Sequence, residues 1–174
     1  MTRQATLLLF QILGLLTPLF GQTKEEKIKS VREKFQIINS DTTYQTKTLT
    51  NEQFLEQMTD GGGELTGYFK NGQIKKIIEL VGVSYCVRTF EYYFWDGELI
   101  FVYEKEEDFP YIDSIGALDF SKLELAFEGR YYFDSGVIIE VKTTGQKRIP
   151  DDDGIDTGKK FLATAKENIQ LLQE

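Results

Sequence analysis

The first regular signal along the chain is an apolar stripe of helical period. Ile28, Val31, Phe35 and Ile38 follow at spacings of three, four and three, which puts them on one face of a helix over about residues 24–39. Thr23-Lys24-Glu25-Glu26 ahead of it reads as a capping box, and Asn39-Ser40-Asp41 stops it. From Glu64 the period changes to that of strands. Three segments share one pattern: Tyr68-Phe69-Lys70-Asn71-Gly72-Gln73-Ile74, Tyr93-Phe94-Trp95-Asp96-Gly97-Glu98-Leu99 and Tyr132-Phe133-Asp134-Ser135-Gly136-Val137-Ile138. Asn-Gly and Asp-Gly accept the positive φ angles of a type I′ turn, and Ser-Gly is a weaker version, so each segment predicts a β-hairpin. The strands fall at 64–70, 73–80, 84–94, 98–104, 123–133 and 137–143.

The rest of the chain fills in around these hairpins. Tyr44–Leu49 has the alternation of a short edge strand, Glu52–Met58 reads as a helical turn or two, and Asp60-Gly61-Gly62-Gly63 is a break. Residues 105–121 open with Lys105-Glu106-Glu107-Asp108 and predict a long charged loop over one end of the sheet. A last helix over 158–173, capped by Asp156 or Thr157, carries Phe161, Leu162, Ala165, Ile169 and Leu172 on one face. The expected fold is α+β: an antiparallel meander of about six strands with the two helices packed on one face.

Alternation sends Tyr92 and Phe94 to one face of the sheet, Tyr93 and Trp95 to the other, and Tyr131, Tyr132 and Phe133 extend both rows. With both helices on one side, the second row would face solvent, where aromatics stack on sugars or contact proteins. A sheet covered on both sides is the more ordinary outcome. The candidate binding residues are therefore Tyr93, Trp95 and Tyr132 on the sheet, with Phe109 and Tyr111 from the 105–121 loop.

The N-terminus sets the destination. Arg3, an apolar run from Leu7 to Leu16, Pro18 and Gly21 occur in the order of a secretory signal, so residues 1–22 are expected to be removed and 23–174 to form one domain. The run is short of the roughly 20 residues a spanning helix needs, so export to the periplasm or the exterior without stable membrane insertion is expected. The net charge is −8, and loss of Arg3 with the leader takes it to −9. With no basic block, nucleic acid is an unfavoured partner.

Candidate chemistry is sparse. With no His and one Cys, triads, dyads and zinc sites that use His are excluded, as is an intrachain disulfide. Cys86 sits in an apolar strand with no base beside it and reads as a packed thiol. Asp151-Asp152-Asp153 fails the EF-hand spacing, because Ile149 stands where the first acid belongs. No catalytic residue, metal or cofactor is indicated.

The stretch Gly61-Gly62-Gly63-Glu64-Leu65-Thr66-Gly67-Tyr68-Phe69, with Ile74-Lys75-Lys76-Ile77 and Tyr92-Tyr93-Phe94, resembles a group of small exported proteins of Bacteroidota-type bacteria built of Tyr-Tyr-Phe-x-x-Gly hairpins. The hairpins are also distantly similar to MORN-type repeats, although the turn glycines lie 25 and 39 residues apart and not at one short period. The resemblance implies export and hairpins and assigns no catalytic residue. The expected function is that of an exported, non-enzymatic protein binding a protein or polysaccharide of the cell envelope. A carboxylate-based hydrolase and a structural component are the alternatives, and an acid pair in a concave, partly apolar pocket would favour the hydrolase.

Overall fold

Three hairpins of one design make most of the molecule. The structure, a computed structural model, describes residues 22–148 and 156–174. Residues 1–21 of the expected leader and the Asp151–Asp153 loop lie outside them. Helix α1 (Lys24–Ser40) is followed by strands β1 (Gln45–Thr50), β2 (Gly63–Lys70), β3 (Gln73–Gly82), β4 (Cys86–Trp95) and β5 (Glu98–Asp108). A two-stranded ribbon, β6 (Tyr111–Ile112) and β7 (Ala117–Leu118), precedes β8 (Glu124–Asp134), β9 (Val137–Gly145) and helix α2 (Thr157–Gln173). The main sheet has seven strands, all antiparallel, in the order β1-β2-β3-β4-β5-β8-β9.

The hairpins β2–β3, β4–β5 and β8–β9 are alike in detail. Asn71-Gly72, Asp96-Gly97 and Ser135-Gly136 all adopt positive φ, between 50° and 84°, as two-residue type I′ turns require. In each, two residue pairs follow the turn and then one residue of the second strand is left over: Lys75, Ile100 or Ile139. That bulge breaks strict alternation. It leaves Ile100 and Phe101 side by side on one face, between Leu99 and Val102 on the other, and Ile139 joins Ile100 on that same face.

A Cβ on Gly97 would meet no atom within 4 Å, so a side chain there is opposed by backbone conformation alone. Gly97→Val should cost about 1–3 kcal/mol, while Asp96→Asn should be nearly neutral, since Asn-Gly serves the same turn. Urea midpoints of the two variants check this. Equal, small losses would show that residues 93–99 do not form the tight turn.

The two helices pack on opposite faces, which corrects the expectation that both share one. α2 lays Phe161, Ala165 and Leu172 on Leu65, Ile77, Tyr92, Phe94, Val102, Tyr131 and Phe133. α1 lays Val31 and Ile38, with Phe35, on Tyr93, Ile100, Phe101 and Tyr132. The cause is already in the strands: rings alternate through Tyr92-Tyr93-Phe94 and Tyr131-Tyr132-Phe133, so both faces are apolar at the turn end of the sheet and both need cover. Gly67 admits α2 closely, since a Cβ there would come within 2.9 Å of the Leu172 side chain. The caps form as read: Thr23 and Glu26 make the capping box, and Asp156 accepts from the amides of Gly158 and Lys159.

Two boundaries differ from expectation. Residues 105–108 are not loop but the end of β5, with Glu104 and Glu106 each 1% exposed. Cationic partners from the neighbouring strand β4 and from the segment after β9, described below, make that burial possible. The remainder of the expected loop carries the β6–β7 ribbon. Residues 51–53 form a single 3₁₀ turn where a longer helical segment was expected. Among the described residues no helix is long and apolar enough to cross a membrane.

Candidate functional site

A cleft of about 610 Å³ opens where α1 stops covering the sheet. Strands β4, β5 and β8 have 10 or 11 residues, roughly 33–36 Å at about 3.3 Å each. α1 seals the end where Tyr93, Phe101 and Tyr132 stand. Farther along the same face the positions carry Glu91, Tyr103 and Arg130, which line the cleft together with Arg32, Phe35, Gln36 and Asn39 of α1. Phe35 closes the inner end, its ring 4.8 Å from Tyr93 and 5.4 Å from Phe101, with Tyr132 5.0 Å beyond Phe101.

Each phenol of the floor lies under a cation. The Lys76 ammonium sits 5.2 Å from the Tyr93 ring centre, the Arg130 guanidinium 5.3 Å from Tyr103, and the Arg32 guanidinium 5.7 Å from Tyr132. Lys76 pairs with Glu91 at 3.3 Å and donates to Asn39 Oδ1 at 3.1 Å. Arg130 donates two bonds to Glu128, at 3.0 and 2.9 Å. Arg32 differs: it is exposed, and among the described residues it has no carboxylate within ion-pair distance. Tyr93 donates to Glu91 and Tyr103 to Glu128. Burial, then the Glu91 charge, pushes the Tyr93 phenol far up, and burial with the bond to Glu128 pushes Tyr103 up to about 12. Both phenols are thus neutral donors at physiological pH. The lining holds three cations and one carboxylate, in a chain of net charge −8.

The candidate residues read from the sequence divide. Tyr93 and Tyr132, from different hairpins, meet in this cleft. Trp95 packs on the α1 face under the Lys34 ammonium, outside the cleft lining. Phe109 meets Phe120 edge-on at 5.1 Å in a second cleft of about 440 Å³, and Tyr111 is 61% exposed on the ribbon. Sequence reasoning missed Arg32, Gln36, Asn39, Lys76, Glu91, Tyr103 and Arg130. Their only advance signal was that Arg32, Gln36 and Asn39 flank Phe35 on successive turns of α1.

The opposite face buries a polar cluster. Glu104 receives Arg88 at 3.3 Å, Lys147 at 2.7 Å and the Tyr131 hydroxyl at 2.9 Å. Glu106 accepts the Arg148 amide at 2.6 Å and lies 3.7 Å from Arg88, while Arg148 grips Asp108 at 2.8 and 3.0 Å. The Cys86 sulfur comes within 4.8 Å of the Glu106 and Asp108 carboxylates. Three cations already neutralise the three acids. Burial, with the Glu106 and Asp108 charges, pushes the fully buried Cys86 thiol up to about 11, so it is neither a nucleophile nor a ready metal ligand at neutral pH. Under α2, Glu79 accepts from Asn168 at 2.9 Å and Tyr92 at 3.4 Å, and its burial raises its pKa above the ordinary carboxylate value.

A raised carboxylate pKa means that the folded state holds this proton more tightly than the unfolded chain does. The contribution is fully present below the unfolded pKa and is lost as pH climbs through the folded one. Glu79→Gln should therefore gain stability relative to the parent between pH 4 and pH 7, read as the difference in melting temperature. A difference independent of pH would show that burial does not shift Glu79.

No family model, curated protein or solved structure matches this chain.

Proposed function

We propose that the chain is an exported, non-catalytic binding protein that holds a component of the cell envelope in the cleft between α1 and the sheet. The observation that carries this reading is the convergence of Tyr93 and Tyr132 with three cations in one partly apolar cleft. A few polar groups around an apolar floor is the usual make-up of a ligand site. A protein or surface polymer would enter by a single narrow group, because α1 closes the inner end. Glu104, Glu106 and Asp108 are packed with cations on the other face, and the lining of the cleft carries one acid, Glu91. That arrangement supports binding over carboxylate hydrolysis. Export rests on the order of charge, apolar run and small residue in residues 1–22.

The cleft can be blocked from its exposed rim. Gln36→Trp should abolish retention on envelope extracts without lowering the melting temperature. Retention undiminished in this variant would move the site elsewhere. N-terminal sequencing of the protein recovered from its host should begin at Gln22 or Thr23, and an intact Met1 in the cytoplasmic fraction would overturn export.

A further inference from the structure

The ring faces of the floor are not available for stacking. Tyr93 is 1% and Tyr132 5% exposed, and Tyr93, Tyr103 and Tyr132 each already carry a cation above the ring. A sugar ring needs an open aromatic face, so a polysaccharide platform does not fit. What remains is the half-buried Phe35 ring at the inner end, opening toward three lining cations, Arg32, Lys76 and Arg130, and one carboxylate, Glu91. Two of the three rim cations are committed, Lys76 to Glu91 and Arg130 to Glu128. Arg32 makes no ion pair at contact distance: it lies over Tyr132 with the Glu140 charge nearby, and Gln36, four residues on, is its neighbour along the helix. A guanidinium fork beside an amide is suited to a carboxylate.

Resting on the binding reading above, we propose that the cleft takes an anionic amphiphile: an apolar chain lying against the Phe35 ring, with a terminal carboxylate on Arg32. A cationic head would meet Arg32, Lys76 and Arg130 together, and a neutral head would leave Arg32 without its partner.

Calorimetric titration of the full chain with decanoate, decanamide and decylammonium, each below its micelle concentration, tests this. Decanoate should bind about tenfold more tightly than decanamide, the scale of one charge-assisted hydrogen bond, with decylammonium weakest and the decanoate advantage shrinking in raised salt. Arg32→Gln should equalise decanoate and decanamide at an unchanged melting temperature. Equal binding of decanoate and decanamide by the parent, both lost in Gln36→Trp, would keep the cleft as a binding site and overturn the acidic ligand. A decanoate preference that survives Arg32→Gln would overturn the proposed anchor. Failure of all three probes to bind would overturn this inference, while the cleft reading would stand or fall on the retention of Gln36→Trp by envelope extracts.

Discussion

Phe161→Ala will cost about 3–5 kcal/mol of unfolding free energy, the range for emptying a packed aromatic site. Phe161 is the ring through which α2 holds the sheet. It sits 4.7 Å from Tyr131 and 6.3 Å from both Tyr92 and Phe90, edge-on to all three. These partners come from β4 and β8, with β5 between them, so no single side chain can move in to fill the hole. Phe35→Ala, on a half-buried ring at the margin of α1, should cost less. Urea titrations followed by the near-ultraviolet signal of the tyrosines would measure both. A loss below about 1 kcal/mol at Phe161 would mean that α2 is not docked as described.

The second large effect lies in the buried ion cluster. Arg88→Met should cost about 3 kcal/mol or more, because it takes a cation away from both Glu104 and Glu106, carboxylates almost wholly out of water. Most of that cost comes from the stranded charge and not from the strength of the bond. Adding Glu106→Gln to Arg88→Met should therefore recover part of the loss, and a double-mutant cycle reads the coupling directly. Additive losses would show that Arg88 and Glu106 do not interact.

That cluster also marks where reading the sequence stopped working. The hairpins were legible because their chemistry is local: Asn71-Gly72 and Asp96-Gly97 specify a turn from two adjacent residues. The helices were legible through their stripes and caps. Lys105-Glu106-Glu107-Asp108 was read as solvated loop because charge is local information, whereas Arg88, Lys147 and Arg148 reach it only after the sheet has formed. The bulge at Ile100 was hidden for a related reason. Strict alternation would send Ile100 and Val102 to one face, and only the pairing with β4 shows the slip. Tyr93 and Tyr132 could be nominated for a site because each stands in a repeated motif. Arg32, Lys76 and Arg130 belong to three different elements and share no pattern along the chain.

The connectivity bears on how the chain is made. Each strand of the meander pairs with its neighbour in sequence, apart from the step from β5 to β8, so the sheet can zip up from short-range contacts as residues emerge. Its lid on one side cannot. α2 is the last described element, yet it rests on β1 and β2 near the start. Until synthesis nears residue 172, Leu65, Ile77, Tyr92 and Val102 belong to a finished but uncovered surface, one that a chaperone would recognise and that a nascent neighbour could stick to. A chain cut short before Phe161 would retain most of its secondary structure and still be sorted as damaged.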